Sequence, residues 1–209
     1  EAMKTLLQIN TGLQGPDAHS SRLADKATES LLSGSVGMQR IIRDLSREPL
    51  PHLDHETFCS FSEPVTVENR KRYMSLSDQL IAELKAADIL VIGAPMYNFM
   101  IPSTLKSWID YVVRAGHTFQ FGEEGPKGLL DSKQAYIIIS QGGSFLGTSE
   151  DLQTRYLTMV LGLMGITEIE FIYAQGLAQG PDAVQAGMDK AYQRIDDLVC
   201  PSSRRSLIL

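Results

Sequence analysis

The chain has 209 residues, 19 of them basic and 25 acidic for a net charge of −6, and 43% are apolar. That length bounds it to one large or two small domains, with enough apolar residues for a core that needs no disulfide staples. The acidic balance excludes a nucleic-acid partner bound through a basic face, and Cys59 and Cys200 fit no CxxC or Cys/His zinc pattern, so neither a disulfide framework nor a metal site is expected.

Lys4 to Asn10 (KTLLQIN) is the first apolar run of strand length. A helical pattern follows over Arg22 to Leu32, with Leu23, Ala24, Ala27 and Leu31 on one face. Met38 to Asp44 reads as a second strand, and His52 to Phe61 as an excursion of weak periodicity. Val67 to Ala86 carries Leu76, Leu80, Ile81 and Leu84 at helical spacing, and leads into a third strand at Asp88 to Ala94. A helix over Thr104 to Ala115, a strand at Gln134 to Ser140, a helix over Asp151 to Met164, a strand at Glu168 to Tyr173 and a helix over Pro181 to Val199 complete the pattern.

Strand and helix alternate five times, and three strands are continuously apolar at their centres, as strands covered on both faces are. The sequence therefore predicts a three-layer α/β sandwich around one parallel sheet. No Pro/Gly/Ser linker divides the chain, so residues 3–200 are expected to form a single domain and 201–209 a flexible C-terminal tail.

In such sheets ligands collect outside the carboxyl ends of the strands. After the first strand comes Asn10-Thr11-Gly12-Leu13-Gln14-Gly15-Pro16-Asp17-Ala18-His19-Ser20-Ser21, with Ser20 or Ser21 where an N-cap is expected. Hydroxyls and free N–H groups at a helix start hold a phosphate without a lysine; an ordinary capped loop fits the segment equally well. GxxxxGK[ST] and GxGxxG are both missing, which disfavours a P-loop nucleotidase and a dinucleotide pyrophosphate, and favours a single terminal phosphate. After the third strand, Pro95-Met96-Tyr97-Asn98-Phe99-Met100-Ile101-Pro102 presents an apolar tip that suits a flat ring system. After the fourth, Ser140-Gln141-Gly142-Gly143 permits close backbone approach. An anion pocket, an apolar shelf and a glycine wall suit flavin mononucleotide (FMN).

These residues carry a specific resemblance. Ala94-Pro-Met-Tyr-Asn-Phe-Met-Ile-Pro-Ser-Thr-Leu-Lys106, then Asp110-Tyr-Val-Val-Arg-Ala-Gly-His-Thr-Phe119, Gln141-Gly-Gly143 and Leu161-Gly-Leu-Met-Gly-Ile166 resemble the FMN-dependent NADH-azoreductases, a family of flavodoxin-like quinone reductases. The resemblance spans Met3 to Cys200. It implies a flavodoxin-like fold with a five-stranded parallel sheet of order 2-1-3-4-5, a homodimer, and one FMN per subunit at the interface. It also implies that Thr11, Gly12, Ala18, His19 and Ser20 hold the phosphate. Pro95, Met96, Tyr97, Asn98 and Phe99 would flank the isoalloxazine, with Asn98 near its reactive N5, and Ser140, Gln141, Gly142 and Gly143 would line its pyrimidine side. Phe121 and Leu163 resemble positions that line the acceptor pocket from the neighbouring subunit, and Phe145 stands where it would shape acceptor choice. Gly12 and Ala18 depart from the family, which usually has hydroxyls there.

The activity implied is transfer of hydride from NADH, or NADPH, through FMN to a quinone or azo acceptor in ping-pong order. The cofactor carries the chemistry, so no catalytic side chain is expected, in keeping with the scattered His19, His52, His55 and His117. A flavodoxin-like electron carrier is the alternative; it requires an exposed flavin edge and a strongly acidic docking face. A phosphatase is excluded because no cysteine heads the first loop. Ile101, Leu105, Trp108, Ile109, Tyr111 and Val112 suit either a dimer interface or the core. With no apolar run near the ~20 residues of a bilayer span and no signal-peptide layout, a cytoplasmic protein without a membrane partner is expected.

Overall fold

Strands whose residues are buried on both faces need a helix layer on each side, and that is how this chain is arranged. A computed structural model describes residues 3–62 and 66–199; the expected tail, and Cys200 with it, lies outside them. In chain order the elements are β1 (Thr5–Asn10), α1 (His19–Ser33), β2 (Gln39–Asp44), α2 (His55–Ser60), α3 (Val67–Asn69), a π-helical turn (Arg70–Met74), α4 (Ser75–Ala86) and β3 (Ile89–Pro95). Then follow α5 (Ser103–Val112), β4 (Phe119–Gly122), β5 (Gly125–Gly128), β6 (Gln134–Ser140), α6 (Leu152–Leu163), β7 (Glu168–Ala174) and α7 (Pro181–Val199).

Five parallel strands form one sheet in the order β2-β1-β3-β6-β7. The numbers differ from 2-1-3-4-5 because β4 and β5 form a separate antiparallel hairpin that the sequence reading did not contain. Leu7, Ile9, Ile92, Ile137 and Ile139 pack on one face beneath Leu84 of α4, Trp108 of α5 and Leu161 of α6. Leu6, Val91, Tyr136, Ile138 and Ile172 pack on the other beneath Leu23 of α1 and Ile195 of α7. The alternation of the two sets along each strand is the period-two rule for a sheet between two layers.

Three further readings need correction. The excursion at His52 to Phe61 contains helix α2, started by Asp54, whose carboxylate accepts the Thr57 N–H at 2.8 Å. The long helix over Val67 to Ala86 is interrupted by the π turn, which side-chain spacing does not reveal. Ile101, Leu105, Trp108, Ile109, Tyr111 and Val112 are all buried within the chain, so they belong to the core and supply no surface for a second copy.

On the α4–α5 side of the sheet a buried cation ties several segments together. The Arg114 side chain, 1% exposed, pairs with Asp78 at 2.8 Å, donates to Ser77 Oγ at 2.8 Å and lies over the Phe61 ring. Its other terminal nitrogen contact is to His117 Nε2 at 2.9 Å, which accepts because a guanidinium only donates. Ser77 Oγ donates in turn to the Tyr111 carbonyl, and Thr118 Oγ accepts the Arg114 N–H. Helices α4 and α5 and the approach to the β4–β5 hairpin thus share one node.

Removing the carboxylate that pairs with this guanidinium is expected to destabilise the fold. Asp78→Ala should cost about 2 kcal/mol in urea unfolding, below the full penalty of an orphaned buried charge because Asp78 is partly exposed. Burial, reinforced by the Arg114 charge, holds the His117 imidazole below its ordinary 6.5. The unfolded chain then binds a proton that the folded chain refuses, so this stability is complete above that pH and is lost as pH falls through the lowered value. His117→Gln should flatten the acid limb of a plot of urea midpoint against pH; an unchanged limb would place the titration elsewhere.

Candidate functional site

The carboxyl ends of β1, β3 and β6 meet above the sheet. Thr11, just past β1, is buried, and its hydroxyl donates to the Gly93 carbonyl of β3 at 2.6 Å. A Cβ on Gly93 would lie 3.1 Å from the Ser20 carbonyl, so the first turn of α1 is packed against β3 at a point where a side chain would have to displace it. A Cβ on Gly12 would lie 2.5 Å from that of Ala18. Glycine at 12 and alanine at 18 are therefore coupled: the space a side chain would need at 12 is filled by the methyl at 18.

Helix α1 begins three residues before the expected Arg22, after a tight 3₁₀ turn (Gly15–Asp17) that holds Pro16. Its N-cap is Ala18, extended at φ −61° and ψ 136°, and no side chain caps it. The expected N-cap at Ser20 or Ser21 is thereby corrected: both serines lie in the first turn. The N–H groups of His19, Ser20 and Ser21 precede the first intrahelical bond, Arg22 N–H to the Ala18 carbonyl. Beside them Ser20 Oγ, Ser21 Oγ and His19 Nδ1 are buried without a hydrogen-bond partner among the described residues. Buried polar groups are seldom left so, and three at the positive end of one helix dipole mark a place for an anion.

The β3 loop folds back on itself. Tyr97 and Met100 exchange backbone hydrogen bonds of 2.9 and 3.1 Å, which puts Asn98 and Phe99 in the left-handed region at φ 52° and 65°. Asparagine tolerates that conformation, whereas phenylalanine is strained by it and is half exposed. The Tyr97 hydroxyl accepts the Leu13 N–H at 2.9 Å and so joins the first loop to this one. From α6 the buried Gln153 amide donates to the Ala94 and Pro95 carbonyls. After β6, the carbonyls of Gln141, Gly142 and Gly143 accept the N–H groups of Leu177, Ala178 and Gly176. The Phe145 ring covers Gly143 and meets Phe99 edge-on at 5.6 Å, closing one side between the two loops.

The result is a cleft of about 370 Å³. It brings together Ala18, His19, Ser20, Pro95, Met96, Tyr97, Ser140, Gln141 and Gly142. Thr11 and Gly12 lie behind it as packing residues, while Asn98 lines an adjoining hollow that shares Leu13 and Tyr97. Phe99, Gly143 and Phe145 stand at the closed side. Phe121 on β4 is 77% exposed and Leu163 ends α6; neither lines the cleft of its own chain. Sequence reasoning missed Leu13, Gln14 and Leu177. Leu177 follows β7, a strand end that went unsearched although the same rule applies to it.

Comparison with known proteins bears on the family and the fold. A family model described as Flavodoxin-like fold matches residues 3–199. The chain is 43% identical over 195 residues to an FMN-dependent NADH:quinone oxidoreductase of Paraburkholderia phymatum, covering 92% of this chain and 98% of that protein. It is equally similar, 43% over 195 residues with the same coverage, to FMN-dependent NADH:quinone oxidoreductase 6 of Burkholderia lata. Among solved structures, an azoreductase from Bacillus anthracis str. Sterne superposes with a TM-score of 0.84 at 24% identity, covering 94% of this chain and 99% of the other. An FMN-dependent NADH-azoreductase from Bacillus anthracis str. Ames Ancestor, in complex with FMN, gives 0.81 at 24% identity over 94% and 100% of the two chains. The structural likeness concerns the fold, and the sequence identity narrows it: the chain belongs to the flavodoxin-like family that includes these FMN-dependent NADH:quinone oxidoreductases.

Proposed function

We propose that this protein is an FMN-dependent NADH:quinone oxidoreductase that also reduces azo compounds. The observation that carries the reading is the uncapped start of α1, where Ser20 and His19 line the cleft with buried polar atoms that have no partner among the described residues, as a phosphate site requires. When bound, FMN supplies two-electron hydride transfer from NADH to the acceptor, the two substrates using the same cleft in turn.

The chain's own residues hold and shield. Ser20, the neighbouring N–H groups and His19 bind the phosphate, with Thr11, Gly12 and Ala18 shaping the loop behind them. Pro95, Met96 and Tyr97 would give the ring a flat apolar shelf and Ser140, Gln141 and Gly142 would line its polar side, with Asn98 and Gly143 beside them as the resemblance implies. Phe99 and Phe145 exclude water from one flank and narrow the entry to flat acceptors. Among the described residues no lysine, arginine or carboxylate lines the cleft, so dipoles and hydroxyls would hold the negative ligand.

The reading includes a homodimer. Phe121, exposed on the hairpin, Phe99 and the exposed Met159 of α6 offer apolar surface to a second copy, and Phe121 and Leu163 would then reach the acceptor side of the neighbouring cleft. It treats residues 3–200 as one flavin-binding domain, supported by the sheet that draws strands from Thr5 to Ala174. It also includes a cytoplasmic location, where NADH is available; among the described residues no helix is long and apolar enough to cross a membrane. The electron carrier fits less well, because paired aromatic rings stand beside the cleft where a carrier needs an open edge.

Purified protein supplied with FMN should oxidise NADH in the presence of menadione, with parallel double-reciprocal lines. Absence of NADH-dependent reduction of both menadione and methyl red overturns the reading. Ser20→Ala should raise the FMN dissociation constant about tenfold in a flavin-fluorescence titration, the loss of a hydrogen bond to a charged group. The melting temperature without flavin should stay unchanged, since Ser20 Oγ has no protein partner to lose. Unaltered affinity would move the phosphate away from α1.

A further inference from the structure

A second cavity, of about 440 Å³, lies outside the flavin cleft along the free edge of the sheet. Strand β7 is the last in the order β2-β1-β3-β6-β7, so among the described residues one side of its backbone has no neighbouring strand. Phe171 and Tyr173, stacked at 6.0 Å with an interplanar angle of 23°, stand on the α6 side of that edge. Helix α7 covers the other side and gives the cavity a wall of small residues, Ala183 and Ala186, followed one and two turns on by Lys190 and Arg194.

The charges at that end are unbalanced. Arg194 reaches Glu170 of β7 at 3.1 Å, while Lys190 has no carboxylate within ion-pair distance among the described residues. One end of the cavity therefore carries a net positive charge, and its body offers aromatic faces and small aliphatic groups. Gln179 adds an amide at the opposite rim. An apolar pocket of this size with polar groups gathered at one end is built for a flat, singly charged molecule.

We propose that this cavity binds a planar aromatic monoanion, an aryl carboxylate or aryl sulfonate, with its rings against Phe171 and Tyr173 and its acid group on Lys190 and Arg194. The site lies apart from the flavin cleft and adds to the function proposed above. The two cavities share a wall: the Gln175 side chain, which lines the edge cavity, contacts that of Gln141, which lines the flavin cleft, at 3.0 Å.

Calorimetric titration of the FMN-saturated protein with 2-naphthoate tests the site. One binding event per chain is expected, weakened roughly tenfold when 2-naphthol, which lacks the carboxylate, replaces the probe, and by a similar factor in Lys190→Ala. Ala183→Phe, which fills the cavity from a half-buried position on α7, should abolish binding. No binding to the FMN-saturated protein, or binding that Lys190→Ala and Ala183→Phe both leave unchanged, overturns the proposal. So does displacement of naphthoate by FMN, which would put the probe in the flavin cleft. Reduction of menadione, measured separately, reports on the flavin reading alone, so the two can fail independently.

Discussion

The contact between the first turn of α1 and strand β3 sets the geometry of everything above the sheet. Gly93 has no side chain, Ser20 lies against it, and the Thr11 hydroxyl is tied to the Gly93 carbonyl. A larger residue at Gly93 would push the helix start outward and carry its donors away from the shelf at Pro95, Met96 and Tyr97. The pairing of Gly12 with Ala18 follows from the same crowding. With alanine at 18, the chain has no room for a side chain at 12. On the proposed reading, binding an anion here would be a consequence of packing as much as of charge, so a net charge of −6 does not oppose it.

The layer below serves a different purpose. Arg114 fixes α4, α5 and the chain leading to the hairpin in one arrangement, and the hairpin carries Phe121 out from the body of the chain. The hairpin is held from behind as well: the Leu130 N–H donates to the Met164 carbonyl, and Gly128 packs so closely on Gly165 that neither tolerates a larger neighbour. Lys133 caps the end of α4 by donating to the carbonyls of Lys85 and Ala87, where a cation meets the negative end of the helix dipole. Rigid support beneath and short, strained loops above are a suitable division of labour for a site that must hold a flat ring.

Much of this was legible in the residues. Runs such as Asp88 to Ala94 and Gln134 to Ser140 can be little other than buried parallel strands, and the rule that ligands gather at strand ends led to most of the cleft. Less was visible where short-range signals are weak. Phe119-Gln120-Phe121-Gly122 alternates over too few residues to announce a strand, and only its pairing with Gly125–Gly128 makes it one. Helix α2 was missed because its apolar periodicity is poor, although Asp54 followed by Thr57 is a recognisable cap. The start of α1 was misplaced by a rule applied correctly: serines favour N-caps, yet here tertiary packing draws them into the helix and leaves an alanine at the cap. Local preference gave way at the position assigned to ligand binding, a pattern common to functional sites.

That uncapped helix start has a consequence for the life of the protein. A helix that reserves its first donors for a ligand leaves part of its own folding energy outside the chain, so the cofactor becomes a term in the folding equilibrium. A ligand present at a hundred times its dissociation constant adds about 2.7 kcal/mol to the stability of the form that binds it. Newly made chains in a flavin-poor cell would open more often at α1, and proteases would meet them there first. The abundance of the protein would then track flavin supply without any regulator, through the chemistry of one helix terminus.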